Sequence, residues 1–284
     1  MLKGPFLSKD WIGATPKYKD SEWVLLGLPY DGTCSYRPGT RFAPQEIRLA
    51  SWGLEEYSPD IERELSEVKF YDAGDLDIPF GNREAILKMI KTNVKTALKD
   101  GKKVFGIGGE HLVTLPEIEA YLDLYSDLCV VHFDAHTDLR EDYLGEKLSH
   151  AAVMKRICEK LKTPKNLCQT GIRSGEKYEF DFMKKYNTFC ANIEEFQAHL
   201  GDFSDKPIFI TVDLDVLDPS IMSGTGTPEA GGFSYNKLIA HLKEIKGKNV
   251  VGMDVVELSP HYDASGVSTA VASKIIREML LLFA

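Results

Sequence analysis

Short runs of apolar residues alternate along the chain with segments whose apolar positions recur at the helical period. Seven runs are rich in β-branched and aromatic residues and poor in charge, which predicts strands covered on both faces: residues 23–28, 68–72, 103–107, 128–133, 167–172, 207–212 and 250–255. Four segments predict helices: residues 83–100, 148–161, 234–245 and 267–283. The alternation is typical of βαβ units and predicts a mostly parallel sheet.

No linker, repeat or low-complexity tract interrupts this pattern, so we expect residues 1–284 to form a single domain. The longest irregular segments, residues 29–45 and 219–233, are rich in Gly and Pro. Ligands of open parallel sheets bind beyond the carboxyl ends of the strands, and the loops that follow the strands surround them. These two segments are therefore candidate walls of a site.

Charge and cysteine content narrow the class of protein. The formal charge of −9 argues against a nucleic-acid partner, because neutralising phosphates requires clustered Lys and Arg. Residues 1–11 lack the pattern of a secretory signal, and no stretch is long and apolar enough to span a bilayer. We expect a cytoplasmic protein without a membrane partner, whose five scattered cysteines are reduced thiols: Cys34, Cys129, Cys158, Cys168 and Cys190.

Side chains that can bind metal follow three of the apolar runs. His111 comes after a Gly-Gly pair, which by itself is a weak signal. Asp134, His136 and Asp138 recur at every second position, and in extended backbone this spacing points all three to one side. A third run ends in a pair of carboxylates at the same spacing, Asp213 and Asp215. Buried carboxylates in such numbers are costly unless they share a cation or hydrogen bonds.

Together these six residues supply four carboxylates and two imidazoles, more than one ion requires. The set predicts two ions bridged by shared carboxylates. Oxygen-rich ligation with imidazole favours manganese, with magnesium, zinc and iron left open. Two such ions, about 3.5–4 Å apart, can lower the pKa of a shared water. We interpret His132, deeper in its run, as a core or supporting histidine, and Asp218 before Pro219 as a turn residue.

Several segments resemble the ureohydrolase family of arginases and agmatinases. Residues 108–111 (Gly-Gly-Glu-His), 134–138 (Asp-Ala-His-Thr-Asp) and 213–219 (Asp-Leu-Asp-Val-Leu-Asp-Pro) match its three metal motifs in the same order. The resemblance extends through residues 38–44, 224–229 and 254–260, and so covers nearly the whole chain. It implies a three-layer α/β/α sandwich with a mostly parallel eight-stranded sheet, two Mn²⁺ ions per subunit, and urea as product. It also implies a homotrimer or homohexamer.

The resemblance assigns roles to individual residues. It implies that one ion is held by His111, Asp134, Asp138 and Asp213. It implies that the other ion is held by Asp134, His136, Asp213 and Asp215, so that Asp134 and Asp213 bridge the two. Glu257 matches the carboxylate that binds the guanidinium group, and His150 matches a proton-shuttle histidine. The departing amine would receive its proton through Asp138 and His150.

The substrate implied is a small cationic guanidino compound. Residues 225–232 resemble the agmatinase form of their motif, which favours agmatine, with putrescine as the amine product and a place in polyamine synthesis. Glu141, Asp142 and Glu146 would suit an amine tail, although a solvated charged loop is the simpler interpretation. Guanidinobutyrate and arginine are the alternative substrates. A metal-dependent deacetylase and a catalytically silent metal-binding protein are the alternative classes.

Overall fold

The main sheet is parallel throughout in the computed structural model, which describes residues 10–79 and 81–284. Most of the segment examined for a secretory signal thus lies outside the described residues. The strands, numbered here for this sheet alone, are β1 (Trp23–Leu28), β2 (Phe70–Asp75), β3 (Lys103–Gly108), β4 (Cys129–Phe133), β5 (Leu167–Thr170), β6 (Phe189–Cys190), β7 (Ile208–Asp213) and β8 (Val250–Val256). Their spatial order is β2-β1-β3-β8-β7-β4-β5-β6.

The helices form a layer on each face of this sheet. They are α1 (Ala43–Ser51), α2 (Arg83–Lys99), α3 (Thr114–Leu122), α4 (Val153–Cys158), α5 (Lys177–Tyr186), α6 (Ile193–Phe203), α7 (Tyr235–Glu244) and α8 (Val267–Phe283). One apolar core joins helices α1, α6, α7 and α8 to one face of the sheet. A second core joins helices α2, α3, α4 and α5 to the other face. The three-layer α/β/α sandwich with eight strands is confirmed. A short antiparallel hairpin, Tyr57–Ser58 with Arg63–Glu64, lies outside the sheet.

Strands covered on both faces explain the continuous apolar runs. Every residue of β7 and β8 is buried. Along β7, Ile208, Ile210 and Val212 pack into the first core and Phe209 into the second, as the two-residue period of a strand requires. None of the described helices has the length and apolar character needed to cross a membrane.

All seven strands expected from the pattern are present, within three residues at each end. The eighth, β6, has two residues at the sheet edge and is too short to show a period. Residues 29–45, expected to be irregular, end with the first turn of α1. Four short helices, α1, α3, α5 and α6, lie where no helix was singled out, because each spans only 9 to 11 residues and a helical period repeats few times within it.

The helix expected over residues 148–161 is shorter and broken. The backbone of Ser149 is extended, with φ −135° and ψ 160°. A 3₁₀ turn follows at His150–Ala152, and only Val153–Cys158 is α-helical. Ser149 and His150 are drawn toward the loop after β1, where the backbone N–H of His150 donates to Oγ1 of Thr33 at 3.0 Å. This contact across the molecule outweighs the local helical pattern.

Candidate metal centre

The carboxyl ends of four central strands meet along one edge of the sheet. β3, β8, β7 and β4 are neighbours in that order, and each is followed or ended by a residue that carries charge. His111 follows β3, Glu257 follows β8, Asp213 ends β7, and Asp134 follows β4. Because parallel strands end on the same side, side chains from distant parts of the chain converge here.

His111 lies at the bottom of this convergence and is almost fully buried. Its Nδ1 lies 3.2 Å from Oδ2 of Asp134 and 3.3 Å from Oδ2 of both Asp138 and Asp213. No hydrogen bond of ordinary geometry joins this nitrogen to any described residue. Its Nε2 lies 2.9 Å from Oγ1 of Thr211. A buried imidazole nitrogen aimed among three carboxylate oxygens is suited to a cation shared by all four groups.

Asp134 connects the two imidazoles. Its Oδ2 faces Nδ1 of His111, and its Oδ1 lies 3.5 Å from Nδ1 of His136. The backbone N–H of His136 also donates to Oδ1 at 2.6 Å, which fixes the carboxylate. The His136 side chain is 26 % exposed, whereas that of His111 is 1 % exposed, so the His136 side of the cluster opens to solvent. This is the geometry that a carboxylate bridging two ions requires.

The two carboxylates at the end of β7 complete the set. Oδ2 of Asp213 faces His111, and its Oδ1 accepts the backbone N–H of Asp215 at 2.8 Å. Oδ2 of Asp215 lies 3.0 Å from Nδ1 of His136 and accepts the hydroxyl of Thr227 at 3.1 Å. The structure therefore brings together all six residues expected as metal ligands. Their oxygen and nitrogen donors fit divalent cations that accept both carboxylate and imidazole.

The electrostatics of the cluster show a shortage of positive charge. Burial and the charge of Asp134 raise the pKa of Asp138 to about 7. Burial, followed by the charges of Asp215 and Asp134, raises the pKa of Asp213 well above its ordinary value. Burial opposes protonation of His136, but the neighbouring carboxylates outweigh it and raise the pKa to about 12. Without a cation, bound protons must offset the repulsion among these carboxylates. Divalent cations would relieve the same repulsion.

Two of the carboxylates at this edge have left-handed backbone. φ is 52° at Asp138 and 68° at Glu257, a region that costs a non-glycine residue about 1–3 kcal/mol. Backbone hydrogen bonds hold both residues there: the carbonyl of Asp138 accepts from Lys155 at 3.0 Å, and the N–H of Glu257 donates to Gly109 at 2.9 Å. The surrounding structure thus fixes both side chains where the cluster needs them.

Glu257 lies on the floor of a cleft of about 230 Å³ that Asp213, Asp138 and His136 also line. Its Oε1 accepts the backbone N–H of His111 at 2.6 Å. Burial and the charge of Glu110 raise its pKa well above the ordinary value. Gly109, whose carbonyl accepts the Glu257 N–H, packs against the loop after β1, where a Cβ would lie 1.9 Å from the carbonyl oxygen of Tyr30. The cleft therefore ends in a fixed carboxylate beside the metal centre.

His150 lines the same cleft. Its Nδ1 lies 3.3 Å from Oγ1 of Thr33, and its Nε2 lies 3.2 Å from Oγ of Ser35. Burial, with the positive charges of His136 and His111, lowers its pKa to about 4. Thr33, Ser35 and Thr227 come from the two segments expected as site walls. Sequence reasoning did not single them out, because one hydroxyl in a loop has no spacing to mark it.

His132 supports the centre from behind. Its Nε2 lies 2.7 Å from Oδ2 of Asp134, and its Nδ1 lies 3.1 Å from the side-chain nitrogen of Gln169. An amide nitrogen only donates, so Nδ1 accepts and Nε2 carries the proton given to Asp134. Asp218 instead organises its own loop by accepting the backbone N–H groups of Ser220, Gly231 and Gly232.

A second pair of acids lies beneath the centre. Oδ2 of Asp254 accepts the hydroxyl of Thr114 at 2.7 Å, and the fully buried carboxyl of Glu117 lies beside it. Burial and the charge of Asp254 raise the pKa of Glu117 well above 4.5. A Cβ at Gly106 would lie 2.8 Å from both oxygens of Glu117, so this strand position must be glycine. Burial beside Asp254 therefore favours the protonated form of Glu117.

The charges of the acidic loop pair with neighbouring groups. Glu141 pairs with Lys155 at 2.5 Å, Glu146 pairs with Arg83, and Asp142 accepts the backbone N–H of Gly145. These three carboxylates are absent from the described lining of the cleft, and their partners support the simpler interpretation of a solvated charged loop. Their partners lie on α2 and α4 or within the loop, which the local sequence does not reveal.

Arg140 and Tyr143 line the mouth of the cleft instead. Arg140 pairs with Glu176 at 3.2 Å, and its guanidinium lies 5.4 Å from the ring centroid of Tyr143. The charge of this arginine is therefore partly neutralised by a neighbour. The mouth presents an aromatic ring and a paired cation to the distal end of a bound molecule.

Known proteins resemble this chain over nearly its full length. The model of a family described as the Arginase family matches residues 21–282. The agmatinase of Bacillus subtilis (strain 168) is 45% identical over 283 residues, covering 98% of this chain and 97% of that protein. The agmatine ureohydrolase of Thermoplasma volcanium has a TM-score of 0.86 and 29% identity, covering 97% of this chain and 94% of that one. A proclavaminate amidino hydrolase from Streptomyces clavuligerus has a TM-score of 0.85 and 30% identity, covering 95% and 94%.

Proposed function

Since this chain belongs to the arginase family and is a ureohydrolase, we propose that it hydrolyses agmatine to urea and putrescine at a pair of manganese ions. One observation carries the proposal: the two oxygens of Asp134 face the two imidazoles, with the fixed carboxylate of Glu257 in the same cleft. Carboxylates and imidazoles in these proportions favour manganese over softer metals.

We propose that the six residues divide between the two ions. His111, Asp134, Asp138 and Asp213 would hold one, and Asp134, His136, Asp213 and Asp215 the other. The contacts of His111 and His136 with different oxygens of Asp134 support this division. When bound, the ions supply Lewis acidity and lower the pKa of a water molecule toward neutrality.

Glu257 is proposed to orient the guanidinium group of the substrate. A planar guanidinium donates parallel hydrogen bonds to a carboxylate, and a carboxylate fixed in advance loses little entropy on binding it. The contact with the His111 backbone holds one oxygen of Glu257 and directs the carboxyl toward the centre. A guanidinium cation would also supply positive charge where burial and Glu110 disfavour an unpaired carboxylate.

Proton delivery to the departing amine is proposed to involve Asp138 and His150. Asp138 lies beside His111 on the cleft floor, and His150 lines the wall above it. The hydroxyls of Thr33 and Ser35 lie against the two ring nitrogens of His150 and can pass a proton to or from it. These contacts support a proton route through His150 to the departing amine.

The substrate tail is the part on which the relatives differ. The similarity to an agmatinase at 45% identity favours agmatine. Arg140 at the mouth favours a second candidate, a guanidine with a carboxylate tail such as guanidinobutyrate or arginine, because a cation there would attract an anion. The pairing of Arg140 with Glu176 weakens that attraction, so agmatine remains the proposed substrate.

Urea release from the manganese-loaded protein tests the proposal. Agmatine, guanidinobutyrate and arginine are supplied separately, and the metal content per chain is measured on the same sample. We expect agmatine to give kcat/KM at least about 100-fold above the other two, with two metal ions per chain. A preference for guanidinobutyrate or arginine would replace the substrate, and an absence of urea with all three would favour the silent or deacetylase alternatives.

The resemblance to the family also supports a proposed homotrimer or homohexamer in the cytoplasm. Light scattering coupled to gel filtration gives the mass of the assembly, to be divided by the 31.8 kDa chain. We expect a ratio of three or six. A monomer or dimer with full urea release would separate the proposed activity from the proposed assembly.

A further inference from the structure

Three potential metal ligands meet at the far edge of the sheet, away from the cleft. Cys168 lies on β5, Cys190 ends the edge strand β6, and His199 lies on α6. All three are buried, and their ligand atoms lie within 4.8 Å of one another. The two sulfur atoms are 3.6 Å apart. Two thiols and an imidazole in one buried cluster offer ligands for a thiophilic cation.

The sulfur separation matches a metal site. Two Zn–S bonds of about 2.3 Å at the tetrahedral angle put the sulfur atoms about 3.8 Å apart. A disulfide is disfavoured by the register of the strands, because Cys190 lies opposite Thr170, two residues beyond Cys168. Strands about 4.8 Å apart with a rise of about 3.3 Å per residue separate such diagonal Cα atoms by about 8 Å. A disulfide needs Cα atoms less than about 7 Å apart.

His199 is oriented as metal-binding histidines usually are. Its Nε2 lies 3.2 Å from the backbone carbonyl oxygen of Lys165, which only accepts, so Nε2 carries the proton. The lone pair is then on Nδ1. A backbone carbonyl that fixes the ring through its other nitrogen is the common support of a histidine ligand. The hydrogen bond from Cys168 lowers the pKa of Cys190 to about 6. Burial of the thiol opposes this shift, and His199 adds to it.

We propose that Cys168, Cys190 and His199 form a second metal site, for a thiophilic divalent cation such as Zn²⁺, in tetrahedral coordination. Each thiol releases its proton to solvent as the metal binds, so two thiolates and the cation form a neutral buried unit. The fourth position faces a cavity of about 250 Å³ lined by Glu195 and Asp202, which admits a water or a carboxylate oxygen.

Such an ion would add a direct link between three elements at the edge of the sheet. The edge strand β6 has two residues, and its ladder to β5 pairs only two positions. One ion bound to β5, β6 and α6 would fix this edge in the same way that structural zinc fixes small domains. The site shares no residue with the proposed catalytic centre, so its test does not depend on the proposed function.

Cobalt spectroscopy of the manganese-loaded enzyme tests the site. Co²⁺ bound by thiolates shows sulfur-to-metal charge-transfer absorption, and tetrahedral Co²⁺ has intense visible bands, neither of which carboxylate and imidazole ligands produce in octahedral geometry. We expect the wild-type chain to develop both, saturating at one cobalt per chain, with zinc displacing it. Cys168→Ala and Cys190→Ala should abolish the sulfur absorption, and His199→Gln should weaken cobalt binding by about tenfold or more.

Cys158→Ser is the matched control, because Cys158 is also buried but lies in the core on the other face of the sheet. It should keep the full cobalt spectrum. The wild-type spectrum tests the proposal even if an alanine variant fails to fold. If the wild-type chain shows no sulfur-to-metal absorption in excess cobalt, the proposal is overturned. So does an absorption that persists in both alanine variants, or the appearance of a Cys168–Cys190 disulfide by mass spectrometry in place of cobalt uptake.

Discussion

The floor and the mouth of the cleft are built in different ways. On the floor, His111, Asp134 and Asp213 lie at strand ends, are almost fully buried, and are held by backbone N–H groups and by one another. At the mouth, residues 140–148 form a largely exposed loop whose charges pair with α2, α4 and the start of α5. The floor is rigid because the sheet positions it, whereas the mouth depends on contacts made across the surface.

The floor and the mouth of the cleft are suited to different tasks. A floor fixed by strand geometry suits the metal ions and the chemical step, which tolerate little displacement. A mouth made of paired surface charges contributes less free energy per contact, because exposed ion pairs contribute only about 0–1 kcal/mol. Substitutions should therefore have effects that fall steadily from the floor outward.

The largest effect is expected for Asp213→Asn. The asparagine can still accept the Asp215 N–H through Oδ1, so the fold should be retained, but the charge facing His111 is lost. We expect urea release to fall by about 10³-fold or more, together with metal content. Asp181→Asn, at an exposed ion pair on α5, is the matched control and should change neither. Near-normal turnover by this variant would show that Asp213 is not a metal ligand.

Glu257→Gln should follow, with a loss of about 10²-fold in kcat/KM for agmatine. The amide oxygen can keep the hydrogen bond from the His111 backbone, while the charge that pairs with a guanidinium disappears. Metal content should stay at the wild-type value, which distinguishes this variant from a ligand substitution. Loss of the metal without a change in KM would instead assign Glu257 a structural role. Glu119→Gln, at a surface ion pair of α3, is the control.

His150→Asn is expected to lower kcat by about 10–10²-fold and to leave KM and metal content nearly unchanged. The residue lies on the wall, and its two hydroxyl contacts would survive in part through the amide. The variant should also show a steeper dependence of kcat on the basicity of the leaving amine. An unchanged kcat would exclude His150 from proton delivery. The exposed His261→Asn should behave as wild type.

The smallest effect is expected beneath the floor, at Glu117→Gln. Glu117 keeps its proton in the folded chain, because burial and Asp254 raise its pKa, while the unfolded chain loses that proton above pH 4.5. The folded state thus binds more protons, and the stability that this group contributes is lost as pH rises above 4.5. Glutamine needs no proton, so Tm should rise by about 2–4 °C at pH 8 and not at pH 4. An equal difference at both pH values would contradict the raised pKa of Glu117.

Much of this fold was predictable from local patterns. The seven longer strands are revealed by their apolar runs, and helices α2, α7 and α8 by their period and caps. The helix at residues 148–161 was overestimated, because the contact of His150 with Thr33 depends on a segment 117 residues away. The two-residue strand β6 has no period to detect. Local sequence specifies a helix or strand when the element is long enough for its apolar period to repeat.

The candidate site divides in the same way. The spacing of Asp134, His136 and Asp138, and of Asp213 and Asp215, predicted that each group meets on one side, and each group does reach the centre. Extended backbone is not the reason, because residues 134–138 follow β4, Asp138 has left-handed backbone, and Asp215 lies in a 3₁₀ turn. The sequence alone determined the metal-binding chemistry and the parallel sheet that presents it. Only the tertiary structure decided that Glu141 and Glu146 pair with basic side chains outside the cleft, and that Arg140 lines its mouth. The residue types that follow a buried apolar run can be read from local sequence, whereas the partner of a loop charge is set by which elements pack beside it.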